Sequence, residues 1–201
     1  MAKLQLKRAP KPPPKSDELL MKRVAAGDAQ AFRQVCDEHL PAILTYTTRL
    51  LRNDAEAQDL AQDTFLKVWL KAGEYQPKAR ITTWVHSIAR HLCIDRLRQR
   101  QARGETLPLD SDVDHAPPSV EPGQLLEKKW TAQRVQLAIA LLPERQQSAL
   151  LLRHEQDLSQ EEIAQILETT VDAVESLLKR ARSALREQLD AAELDPPLPR
   201  Q

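Results

Sequence analysis

The chain has 201 residues, with 29 Lys+Arg balanced by 29 Asp+Glu and a formal net charge of zero. Hydrophobic residues make up 41% and aromatics 3%, with 4 glycines, 14 prolines and 2 cysteines. That length bounds the chain to one or two domains, and the charge balance excludes a protein coated in positive charge.

Few glycines and aromatics among abundant Ala, Leu, Gln, Glu, Lys and Arg favour an all-α fold. The charge is segregated: acids collect at Asp54–Asp63 and Glu105–Glu121, bases at Ala79–Arg103 and Lys179–Arg186. Cys36 and Cys93 stand among apolar neighbours on predicted helices, as small buried hydrophobes. There is no C-x-x-C pair, and His39, His86, His91, His115 and His154 lack metal-ligand spacing, so no metal or cofactor is expected. The N-terminus has no apolar h-region and no apolar run approaches the ~20 residues of a membrane span, so the expected location is the cytoplasm.

Residues 1–15, Lys- and Pro-rich, are expected to form a disordered basic tail. Ser16-Asp17-Glu18 reads as an N-cap with first-turn acids, opening a short helix that Gly27 closes. Asp28 caps the next helix, whose apolar set runs from Phe32 to Leu50 and which Pro41 is expected to kink or divide. Asn53 and Glu56 start a third helix in the manner of a capping box. Its apolar stripe is Ala57, Leu60, Ala61, Thr64, Phe65, Val68 and Trp69, and Glu56, Asp59, Gln62 and Asp63 face the other way. After a loop built around Pro77 comes Ala79–Arg103, apolar at Ile81, Trp84, Val85, Ile88, Ala89 and Leu92 and then densely basic, with Gly104 as its stop. Such a helix can sit half in a core and half along a polyanion; a solvated end that suits the macrodipole fits the same residues. These four helices make one expected domain over 16–103.

Residues 104–123 are acidic and Pro-rich, a flexible linker. Helix resumes near Leu125, with Trp130, Leu137, Leu141 and Leu142 as a stripe before Pro143 and Ala149, Leu150 and Leu152 as another after it. Ser159-Gln160-Glu161-Glu162 is a capping box, Glu168-Thr169-Thr170 a polar turn, and Val171, Val174, Leu178, Ala181 and Leu185 the stripe of a longer helix. Short helix, turn, long helix is the helix-turn-helix pattern, although a plain αα-hairpin has the same periodicity and the turn lacks glycine. Asp172, Glu175, Ser176, Lys179 and Arg182 lie away from the apolar stripe, where groove contacts are made. The second domain is expected over 124–190 and a frayed tail over 191–201.

Three motifs together resemble the bacterial sigma factors of RNA polymerase, specifically the small two-domain extracytoplasmic-function class. They are NDAEAQDLAQDTFLKVW (53–69), ITTWVHSIARHLCIDRLRQR (81–100) and LPERQQSALLLRHEQDLSQEEIAQIL (142–167), the last followed by a second helix and KRARSALREQL. The resemblance implies a promoter-specificity subunit, without catalysis of its own, whose partners are core RNA polymerase and promoter DNA. An anti-sigma protein is a further candidate partner. It assigns Glu56, Asp59, Gln62 and Asp63 to docking on a polymerase coiled coil, and Tyr75, Lys78, Arg80, Arg90, His91 and Arg96 to opening and reading the minus-ten element. Unpaired bases need planar groups to stack on, and the displaced strand needs cations. It assigns Asp172, Glu175, Ser176, Lys179, Arg180 and Arg182 to the minus-thirty-five element. Three positions depart from the family's habit: His91 stands in place of asparagine, Glu175 where Lys or Arg is frequent, and Leu177 where Arg is frequent. Glu175 would repel phosphate yet accept from a cytosine amino group. Two other readings remain at this point: a free-standing helix-turn-helix regulator, and a polymerase-binding adaptor without initiation activity.

Overall fold

The computed structural model describes residues 15–104 and 134–194, with side chains through Asp190. Most of the expected tails and linker, and the stripe residue Trp130, fall outside them; Lys15 and residues 191–194, expected in the tails, are helical. All described regular structure is helical: α1 Lys15–Ala25, α2 Ala29–Leu51, α3 Asp54–Leu70, a 3-10 turn Ala72–Glu74, α4 Ile81–Ala102, α5 over 134–140, α6 Glu144–His154, α7 Gln160–Ile166 and α8 Val171–Leu194.

The caps explain where the helices start. Asp28 Oδ1 accepts from the Gln30 and Ala31 amides at 2.9 and 3.0 Å, and Asn53 Oδ1 from the Glu56 amide at 3.0 Å. Both halves of the box at α7 are made: Glu162 N donates to Ser159 Oγ and Ser159 N to the Glu162 carboxylate. Two expectations are corrected. Ser16 does not cap α1, which already begins at Lys15; its neighbour Asp17 instead accepts from the amide of Ile81 at 3.1 Å. A carboxylate from α1 thereby caps α4, whose own N-cap Arg80 makes no side-chain cap bond. Pro41 does not divide α2. It lies on the exposed side, where water can take the carbonyl its missing N–H leaves open.

The turn between α7 and α8 works without glycine because Glu168 itself adopts the left-handed conformation, φ 50°. Thr169 N then donates to Ala164 O at 2.9 Å, closing the helix end. Before Pro143 the buried positions are Ala138 and Leu142, whereas Leu137 and Leu141 are exposed, so the stripe read there from leucines alone is displaced.

Helix α4 is central. Its Ile81, Val85, Ala89 and Cys93 are fully buried, and it packs on α2 and α3 from one side and on α7 from the other. Helix α6 in turn packs on α2 and α8. The main buried cluster therefore runs continuously from Met21 and Val35 through Val85 and Cys93 to Leu152, Ile163 and Val174. The two halves meet along this seam.

Candidate nucleic-acid interface

The acidic candidates on α3 divide into two groups. Asp59, Gln62 and Asp63 are exposed, and Leu66 and Leu70 continue the same stripe outward at helical spacing. Glu56 points elsewhere: its carboxylate pairs with Arg100 at 2.7 Å and Arg96 at 3.3 Å. Arg100, buried at 6% exposure, also donates to the Leu51 carbonyl at 2.9 Å. One carboxylate thus joins the start of α3 to the end of α4, and one of the two arginines that reads as part of a solvated basic end is internal. Its spacing is the signal: Arg100 lies seven residues after buried Cys93, on the same helix face.

The six minus-ten candidates do not form one continuous strip. Tyr75 is half-buried, edge-on to Trp84 with centroids 5.4 Å apart, and its hydroxyl donates to Ala79 O at 2.7 Å. Burial, followed by the nearby Asp17 and Glu18 charges, pushes its pKa up to about 12, so it presents a neutral ring that braces the loop into α4. Lys78 is exposed beside it. Arg96 turns to Glu56. The other three meet acids of the C-terminal half: Arg80 with Glu162 at 3.7 Å, Arg90 with Glu144 at 3.1 Å, and His91 with Glu168 at 3.1 Å. His91 Nδ1 also bonds the Ser87 carbonyl at 2.7 Å, so both ring nitrogens face acceptors. Asp95 lies 3.9 Å from Arg98.

A buried polar chain accompanies these pairs. Ser148 Oγ donates to Glu144 at 2.9 Å, so the Tyr46 hydroxyl, 3.0 Å away, donates to Ser148. Glu144 then accepts from both Ser148 and Arg90, linking α2, α6 and α4. Tyr46 is fully enclosed, and burial raises its pKa. Arg49–Glu155 at 3.2 Å closes the seam further along. The sequence does not announce these pairings: the Tyr46–Ser148 and Arg90–Glu144 pairs span 102 and 54 residues, beyond any local pattern.

On α8, Asp172, Glu175, Ser176, Lys179, Arg180 and Arg182 are all exposed, while Val174, Leu178 and Ala181 are buried. Arg145 of α6 donates to the Leu167 carbonyl at 2.8 Å, bracing the turn before α8. Between them lies an open groove of about 300 Å³ lined by Arg145, Thr169, Asp172, Ser176, Leu177 and Arg180. Leu177 is partly buried there and packs against the core.

The described residues thus form two helical halves, one with an exposed acidic face on α3 and the other with a helix-turn-helix whose second helix is exposed. Residues 35–103 match the family described as sigma-70 region 2, and residues 132–185 match sigma-70, region 4. RNA polymerase sigma-H factor of Pseudomonas aeruginosa is 32% identical over 180 residues, 84% of this chain and 91% of that protein. ECF RNA polymerase sigma factor SigW of Bacillus subtilis is 29% identical over 178 residues, 84% of this chain and 94% of that one. The fold is shared with the sigma factor RpoE solved in complex with the anti-sigma factor NepR from Bartonella quintana, with TM-score 0.68 and 23% identity over 81% of this chain and 98% of that chain. CnrH, solved with the cytosolic domain of CnrY, superposes with TM-score 0.66 at 24% identity over 88% of this chain and 98% of that one. The chain belongs to the extracytoplasmic-function class of the sigma-70 family: it is a sigma factor, which binds core RNA polymerase and directs promoter recognition and initiation.

Proposed function

We propose a division of labour among three faces of this sigma factor. Asp59, Gln62 and Asp63 of α3, extended by Leu66 and Leu70, dock on basic and apolar side chains of the polymerase, with Glu56 holding the helix in place from behind. Tyr75, Lys78, Arg80, Arg90, His91 and Arg96 engage the opened minus-ten strand by stacking and phosphate neutralisation. Asp172, Glu175, Ser176, Lys179, Arg180 and Arg182 meet the minus-thirty-five duplex, the basic ones positioning on phosphate and Glu175 and Ser176 nearest the bases. Residues 16–103 and 124–190 act as the two functional units. Bond making belongs to the polymerase; this chain contributes binding and positioning, in the cytoplasm. An anti-sigma protein is a second partner, on the analogy of the sigma factor RpoE solved with the anti-sigma factor NepR.

The observation that carries the reading is the exposed acidic face of α3 lying within one chain alongside the exposed face of α8. Charge reversal tests it. Asp59→Lys combined with Asp63→Lys, both at exposed positions, should abolish co-migration with core polymerase in gel filtration while the thermal unfolding midpoint stays within about 2 °C. Undiminished co-migration would remove α3 from the docking surface.

A further inference from the structure

We infer that residues 1–14 are a DNA-binding arm: a basic segment that leaves the fold beside the minus-ten loop and neutralises phosphates of the opened promoter strand there. The inference rests on the reading of Tyr75–Arg80 as the loop that meets that strand. Residues 1–15 carry Lys3, Lys7, Arg8, Lys11 and Lys15, so five of the chain's 29 bases stand in a stretch that holds none of its 29 acids. The four lysines recur at every fourth residue. Met1, Leu4 and Leu6 are the only large apolar side chains, so the stretch has little to bury, and its chemistry is that of a ligand for a polyanion.

The fold fixes where the arm starts. Lys15 opens α1, and two residues on Asp17 accepts from the Ile81 amide at 3.1 Å, pinning the first turn of α1 to the first residue of α4. Helix α1 also packs on the 3-10 turn Ala72–Glu74, so both ends of the intervening loop abut it. The charges of Asp17 and Glu18 reach the Tyr75 hydroxyl, second to burial in raising its pKa. From Lys15 the chain back to Lys11 spans at most ~14 Å and back to Lys3 at most ~43 Å, so the arm's bases are tethered around Tyr75 and Lys78.

The loop is short of cations of its own. Among the described residues, Lys78 is the one Lys or Arg of the minus-ten set that is exposed with no carboxylate paired to it. Arg80 and Arg90 face Glu162 and Glu144, and Arg96 faces Glu56. Asp17 and Glu18 add negative charge beside the same loop. A separated strand is held by stacking planes and by cations together. The loop brings a plane at Tyr75, and the arm brings the cations, each phosphate it neutralises releasing a counterion.

The test uses holoenzyme assembled from the full chain and core polymerase, on a promoter fragment from which it starts RNA, with binding measured across about 50–200 mM salt. Lys3→Gln, Lys7→Gln, Arg8→Gln and Lys11→Gln together remove four charges ahead of α1, so co-migration with core polymerase and the thermal midpoint should be unchanged. At about 0.7 per phosphate of a single strand, the fall of log K with log salt should become shallower by about 3 units. A photo-reactive benzoylphenylalanine at position 8 should cross-link to promoter DNA at the minus-ten element. Lys78→Gln checks the loop on its own and should flatten the slope by about 1 unit. An arm variant with the wild-type slope overturns the inference. So does loss of co-migration, which makes the arm a polymerase contact, and so do cross-links confined to polymerase or to residues 104–123 of this chain. A flattened slope for Lys78→Gln beside an unchanged one for the arm variant removes the arm and leaves the loop standing. A wild-type slope for Lys78→Gln, with cross-links from position 8 falling outside the minus-ten element, removes the loop reading and the arm's place beside it together.

Discussion

His86 is enclosed in the seam-facing side of α4, edge-on to Tyr46, with Nδ1 donating to the Thr82 carbonyl at 2.8 Å and Nε2 buried without a partner. Burial, against the opposing hydrogen bond to Thr82, lowers its pKa to about 4 from 6.5. The folded chain therefore holds this ring neutral between those values while the unfolded chain protonates it, so its contribution is complete above pH 6.5 and is lost as pH falls toward 4. Between pH 7 and pH 5 the wild type should lose about 2 kcal/mol more unfolding free energy than His86→Gln, measured by urea titration. Parallel pH dependences would contradict a neutral buried ring. Glu56 offers a second residue-scale check. Glu56→Gln leaves Arg100 buried with only the Leu51 carbonyl, and should cost roughly 3 kcal/mol of stability. A loss of polymerase binding at unchanged stability would instead place Glu56 in the docking surface. Sequence alone grouped Glu56 with Asp59 and Asp63 because helix spacing records which face a residue occupies, not which distant arginine reaches around to it.

Among the elements, α3 and the α7–α8 pair were legible because each carries its own local signals. Asn53 and Ser159 announce helix starts, and period-3.6 apolar stripes give the buried faces. Where a signal is shared with a distant element, reading fails. Asp17 is a first-turn acid of α1 as read, but its carboxylate also serves α4, sixty-four residues on, which no local pattern records. The leucines before Pro143 mark a stripe, but Ala138 is the residue covered and Leu137 and Leu141 are left outside. On α8 the exposed Glu175 is the departure with the sharpest consequence. Glu175→Arg should tighten binding to promoter duplex in the holoenzyme and steepen the fall of log K with log salt by about 1 unit. An unchanged salt slope would put position 175 away from the phosphates.

At the scale of the whole molecule, 29 bases and 29 acids cancel by count, and the fold sets Arg80 and Arg90 of one half against Glu162 and Glu144 of the other. Composition shows that the charges balance, and the segregated blocks show that they are sorted. Neither indicates which block meets which, because the pairing is made by chain folding across the linker. The most direct measurement is run-off transcription with purified core polymerase on genomic fragments of the source bacterium. Adding this chain should yield discrete transcripts from defined start sites, absent with core polymerase alone and absent with the Asp59→Lys/Asp63→Lys variant. Core polymerase that gives the same products with and without the chain would contradict its role as a promoter-specificity subunit.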